Sequence, residues 1–224
     1  MKEETGILKL AFAGIVIAVI CGLLISITDT ITAPYIAKNE RKVTENSIMS
    51  VYPNTAKYVE FALEGKTLKK ADSKTGKKIP RIFASYDKDG KLSGLAIPTS
   101  GPSFASDGLK ILYAYNPEKE CVTGFKVLKS TETKGFGDRI LDPKETAFQK
   151  SFDCLDAKLN PEKTGLARII ETVLHGKKVN SSQIDGLAGA TVTSKALGAM
   201  INKSAQELLP IVAANNATLK EGNK

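Results

Sequence analysis

A chain of 224 residues is long enough for one domain with a proper core plus attachments, and its formal charge of +8 comes from lysines spread along it. Such a spread favours an anionic ligand or a membrane surface, and with no clustered Arg/Lys helix and no RNA-binding aromatic motif it argues against nucleic acid. With three cysteines, no CxxC or HExxH pattern and His175 as the only histidine, neither a zinc site nor a Ser-His hydrolase triad finds its parts, and His175 reads as a surface residue.

The first element is an uncharged apolar run, residues 10–27, "LAFAGIVIAVICGLLISI", near the length needed to cross a bilayer core of about 30 Å as a helix. A cleavable signal peptide competes with this reading, but the run is long for a signal core and no A-x-A-like site follows it. The sequence therefore predicts a retained anchor. Lys2 and Lys9 are the nearer positives and favour an inside N-terminus, which puts the rest of the chain outside the cytoplasm. After the run, "TDTITAPYIAKNERKVTENSIMSVYP" should leave the bilayer at Pro34 and become a polar helix ending near Tyr52-Pro53. Lys66 to Lys78 reads as a loop or hairpin connection.

The period then changes. Two runs flank Lys88-Asp89-Gly90, and "LKILYAYN" and "CVTGFKVLKS" repeat the pattern around Pro117-Glu118-Lys119; the sequence predicts about four antiparallel strands. In "DPKETAFQKSF" an Asp cap, a first-turn Pro and a capping-box Glu predict a short helix over residues 142–152. The last helix should begin at Thr193 or Ser194, with Leu197, Ile201, Ala205 and Leu208 on one face and Pro210 ending or kinking it. The fold class is α+β, with helices bracketing an antiparallel sheet. Residues 1–30 are the anchor, 31–65 a stalk leading into the domain, 66–212 the domain and 213–224 a loose polar tail. Cys21 lies in the apolar run, whereas Cys121 and Cys154 are either a disulfide or a reduced buried pair. The N-x-S/T matches at Asn180, Asn202 and Asn216 are too short to carry a glycan assignment.

One stretch concentrates small residues and hydroxyls ahead of a helix: "DGLAGATVTSKAL", Asp185 to Leu197. Gly186, Ala188, Gly189 and Ala190 would let a ligand approach the backbone, the helix start offers unpaired N–H groups, and Lys195 adds a positive charge in the first turn. The plainer reading is that Thr193 or Ser194 caps the helix and the glycines only make the turn.

Residues 185–191 resemble the D-x-x-[S/T]-G-A-T motif of FMN-binding domains, whose final threonine carries FMN through a phosphoester bond. Asp185, Gly189, Ala190 and Thr191 match, and Ala188 stands where Ser or Thr is usual. "STETKGFGDRILDP", Ser130 to Pro143, resembles the E-T-P-G-L-G-D-K-I segment of the same family. Glu132, Thr133, Gly135, Gly137, Asp138 and Ile140 match, while Lys134, Phe136 and Arg139 replace Pro, Leu and Lys. With "ITAPYIAKNERKV" and "VYP", the likeness extends over most of the chain to the G-subunit family of Rnf electron transport complexes, and less closely to the C subunit of the sodium-pumping NADH:quinone reductase.

The resemblance implies covalent FMN on Thr191, with Gly189 and Ala190 admitting the phosphate, and Thr193 and Ser194 as caps or phosphate donors. It also implies a loop of Glu132, Thr133, Gly135, Phe136 and Gly137 against the flavin. Asp185 would serve the turn or recognition by a separate flavin transferase, which would use FAD and Mg²⁺. It further implies a redox subunit in a single-pass inner-membrane position, its domain on the outer side, among Rnf subunits that supply the other redox centres. The chain has no cysteine set for an iron–sulfur cluster. A stand-alone extracytoplasmic flavin reductase module and an anchored structural protein without cofactor are the other readings.

Overall fold

In the computed structural model, which describes residues 2–71, 79–105 and 108–221, the apolar run lies in α1, Lys2–Val51. The helix continues through Pro34 rather than breaking there. In the turn ahead of that proline, the hydroxyls of Thr28, Thr30 and Thr32 bond back to the carbonyls of Leu24, Ser26 and Thr28, each at 2.8 Å, so these polar side chains need no outside partner. Large apolar side chains along the run are bare, Leu10 at 76% and Ile25 at 70% exposure. Leaving each in water costs about 1.5–3 kcal/mol relative to burial, and α1 is the one helix among the described residues long and apolar enough to cross a membrane.

The chain divides into two compact units, Met1–Val43 and Thr44–Lys224. In the second, a seven-stranded antiparallel sheet runs in the order β2-β1-β3-β4-β5-β6-β7. The four strands predicted from the hairpins are β3 (Arg81–Tyr86), β4 (Leu92–Gly101), β5 (Leu109–Asn116) and β6 (Cys121–Ser130). Their side chains alternate between two faces. Ile82, Ala84, Leu95, Ile97, Ile111 and Tyr113 share a core with Leu197, Ile201, Ala205 and Leu209 of α3 (Thr191–Ala214). Phe83, Ala96 and Leu112 point the other way, onto Ile48, Val51 and Tyr52 at the end of α1. A separate parallel pair, β8 (Glu171–Val173) and β9 (Gln183–Asp185), leads into α3.

Several expectations are corrected. Residues 57–70, read as stalk and connection, are β1 (Lys57–Glu64) and β2 (Thr67–Lys70), with Phe61 and Leu68 in the core; most of the remaining connection, 72–78, lies outside the described residues. The short helix is α2, Thr146–Lys150, and begins after the predicted cap. Asp142 Oδ1 instead accepts from the Lys144 amide at 2.9 Å, and Glu145 is drawn off by an ion pair with Arg139. Pro210 does not end α3, because Leu209 and Val212 on either side are buried. Residues 213–221 are not a loose tail. Asn215 ties the end of α3 to the β1–β2 hairpin by bonds to Leu68 N and Lys66 O, and α4 (Asn216–Glu221) buries Leu219, whose carbonyl accepts from the Tyr86 hydroxyl at 2.5 Å. Cys121 and Cys154 are disulfide-bonded, joining the start of β6 to the approach of β7 (Leu155–Asp156).

Candidate functional site

The turn from β9 into α3 is built on close backbone approach. Gly186 donates to Val173 O at 3.0 Å, and a Cβ there would strike that carbonyl. Leu187 is buried, Ala188 and Gly189 are exposed, and Gly189 has φ +82°, the left-handed region that favours glycine. α3 then starts at Thr191, earlier than predicted, with Ala190 as N-cap and no side-chain cap. Thr193 and Ser194 are therefore inside the first turns. Thr193 is buried and donates to Glu132 Oε2 at 2.9 Å; Ser194 Oγ bonds Ala190 O at 3.0 Å and receives the Leu187 amide at 3.4 Å. Lys195 is exposed. The first amides of the helix have no intrahelical acceptor, no side chain caps them, and they sit behind two exposed small residues, a donor set suited to a phosphate. The Thr191 hydroxyl is half-buried and donates to Leu187 O at 3.3 Å.

The second segment meets this turn from the side. Glu132 is buried, and it accepts from Ser103 Oγ, from the Ala105 amide at 3.3 Å and from Thr193. Burial raises its pKa, but the hydrogen bonds from Ser103, Thr193, Ala105 and Phe104 outweigh burial and hold the carboxyl below the usual range. Gly137 lies against this carboxylate, where a Cβ would collide with it. Gly135, with φ +79°, makes the turn that closes when Phe136 N bonds Thr133 O at 3.1 Å. Thr133 and Phe136 are exposed, Phe136 at 62%. Arg139 spans the two segments: Nε bonds Glu145 Oε1 at 2.9 Å, Nη2 bonds the same oxygen, and Nη1 bonds Ala188 O at 2.7 Å.

The structure thus brings Glu132 and Gly137 together with Thr193, and Arg139 with Ala188 and Gly189. Asp185 is set apart. It is buried, accepting from Gly176 N at 2.7 Å with His175 Nδ1 at 3.5 Å, so its carboxylate shapes the β8–β9 connection, and His175 is exposed yet tethered. Sequence reasoning missed the β4–β5 loop, where Ser103 and Ala105 hold Glu132 and Phe104 stands 69% exposed. No local pattern marks that loop; its role comes from the sheet register that carries it to β6. Arg139 was visible only as a replacement of Lys.

Residues 106–206 match the FMN-binding domain. This stretch of the globular part is similar to the FMN-binding domain family. Over 197 residues the chain is 23% identical to the G subunit of the ion-translocating oxidoreductase complex of Methanosarcina acetivorans, covering 88% of this chain and 92% of that protein. Over 207 residues it is 25% identical to the G subunit of the Na(+)-translocating ferredoxin:NAD(+) oxidoreductase complex of Acetobacterium woodii, covering 89% and 90%. In fold it is similar to NqrC of Shewanella oneidensis, with a TM-score of 0.59 at 17% identity over 81% of this chain and 99% of that one. The FMN-binding domain match contains both the Glu132–Ile140 loop and the Thr191 turn. Its residues fit a flavin nucleotide on the structure's own terms: an uncapped helix start for the phosphate, a half-buried threonine hydroxyl at its first position bonded to Leu187 O, and exposed aromatic rings on two neighbouring loops.

Proposed function

We propose that this chain is the FMN-carrying electron-transfer subunit of an Rnf-type ion-translocating ferredoxin:NAD oxidoreductase, with FMN esterified to Thr191. The observation that carries the reading is the joining of two distant segments, by Thr193 to Glu132 and by Arg139 to Ala188, around an uncapped helix whose first residue is a threonine. Attachment forms a bond from Thr191 Oγ to the flavin's phosphorus, breaks the pyrophosphate of FAD and releases AMP, the hydroxyl proton leaving with it. No carboxylate or imidazole bonds the Thr191 hydroxyl among the described residues, which favours a separate flavin transferase, with its own base and Mg²⁺, as the catalyst.

Bound FMN supplies one- and two-electron redox chemistry. The chain's own residues hold it. The first amides of α3 would receive the phosphate, Lys195 would add positive charge at the helix start, and Phe136 and Phe104 would offer rings against which an isoalloxazine can pack. Esterification at Thr191 would keep the cofactor on the chain, as a relay between partner subunits requires. The inward N-terminal lysines and the Cys121–Cys154 disulfide support a domain outside the cytoplasm. The fold likeness to NqrC favours a second reading, a subunit of a sodium-pumping NADH:quinone reductase. Purifying the chain from native membranes distinguishes the readings: Rnf subunits should accompany it and the band should fluoresce. Quinone reductase subunits would support the second reading, and a colourless chain without companions would remove both.

A further inference from the structure

We infer that Arg139 is a positioning residue that presets the Ala188–Thr191 turn for flavin attachment, adding from across the site a bond to the turn's central carbonyl, that of Ala188. The inference rests on the FMN reading above. The turn's own bonds fall at its ends, where Ala190 N donates to Leu187 O at 3.1 Å and the Thr191 hydroxyl to the same carbonyl at 3.3 Å, and no side chain of the turn reaches its two central residues. Ala188 has only a methyl group, Gly189 sits at φ +82°, and α3 has no side-chain cap. The bonds from Thr193 to Glu132 and from Leu187 N to Ser194 hold the residues on either side of Ala188 and Gly189 but neither of these two. That hold comes from Arg139, whose Nη1 donates to Ala188 O at 2.7 Å and lies 3.2 Å from where a Gly189 Cβ would be.

The fork geometry of the guanidinium makes this possible. One edge, Nε and Nη2, is fixed on Glu145 Oε1, which leaves Nη1 aimed at the turn. Both partners are partly sheltered, the side chains 34% and 23% exposed, so the charge-assisted bonds are less screened than on an open surface. A lysine ammonium is a single point of charge and cannot span the carboxylate and the carbonyl with the same preset direction. Two of the four departures from the family pattern, Arg139 and Ala188, are in direct contact. A hydroxyl at 188 could hold the turn locally, and the arginine takes over that task where the hydroxyl is missing.

The test uses the full chain as wild type, Arg139→Lys, Ala188→Ser and the double variant, each coproduced with a limiting flavin transferase and measured by intact mass. Arg139→Lys should carry about tenfold less covalent FMN, the scale of one lost charge-assisted hydrogen bond. Ala188→Ser alone should match the wild type, and the double variant should recover most of the loss. A purely structural role for Arg139 gives no such rescue. In the unmodified chains, amide exchange at Gly189–Thr193 should rise about tenfold in Arg139→Lys and fall back in the double variant. If Arg139→Lys does not fold, Glu145→Gln, which removes the carboxylate that aims the guanidinium, should show the same losses. Unchanged exchange and unchanged FMN content in these variants, or equal losses in the single and double variants, would overturn the inference. If the wild type takes up no flavin yet exchange follows the expected pattern, the attachment reading fails and the positioning role stands.

Discussion

Glu132 is the residue on which three segments converge, since Ser103 and Ala105 of one loop and Thr193 of α3 all donate to it. Replacing it by Gln should cost about 1.5–3 kcal/mol at neutral pH, the scale for hydrogen bonds to a buried charged group, measurable by denaturant unfolding of wild type and variant. The pH dependence has a definite sign. The folded carboxyl titrates below glutamate's usual 4.5, so its contribution is fully present above that value and is lost as pH falls through the folded pKa. The stability gap between the two proteins should therefore narrow below about pH 4.5; a gap that stays constant or widens on acidification would show that the charge is not what the network holds. At this scale the sequence was partly legible. Glu132, Gly137 and Gly189 stood out by motif, but a buried role for Thr193 was not readable, because it depends on α3 starting at Thr191 rather than two residues later. Asp185 matched its motif yet spends its carboxylate on Gly176 N, a partner that a sequence cannot assign.

Among the elements, the end of α1 does the work of a second layer. Tyr52 donates between Leu95 O and Tyr115 O, at 3.1 and 3.0 Å, and burial pushes its phenol pKa well up, so the hydroxyl stays a donor at any ordinary pH. Gly94 makes room for this ring, and a Cβ there would collide with the hydroxyl and with two ring carbons. Gly94→Ala should destabilise the domain by about 1–3 kcal/mol through overpacking. A thermal midpoint equal to the wild type would show that Tyr52 is not fixed on the sheet. The four hairpin strands were legible because alternation and turn residues coincide in them. β1 and β2 were not, since "KYVEFALEGKTLKK" mixes charges into both faces and only sheet pairing to β3 reveals the strand. The tail failed for a related reason: one buried Leu219 among polar neighbours leaves no periodic signal.

For the whole molecule, the boundary between the two units lies at Val43–Thr44, inside α1, and not at the end of the apolar run. A chain lacking residues 1–43, exported behind a cleavable signal, should be soluble without detergent and folded. Removing residues 1–55 instead strips Ile48 and Tyr52 from Phe83, Ala96 and Leu112 and should cost at least about 3 kcal/mol. Equal stability of the two truncations would remove α1 from the domain's core. The central claim is that Thr191 carries the flavin. Thr191→Ala takes away the hydroxyl at the first position of α3, while Thr193 keeps its bond to Glu132, so the fold should persist. Coproduced with a flavin transferase and run on a denaturing gel, the wild type and Thr193→Ser should fluoresce, with the wild-type peptide containing Thr191 heavier by one esterified FMN, and Thr191→Ala should be folded but dark. A fluorescent Thr191→Ala band, or a dark wild type, would contradict the account.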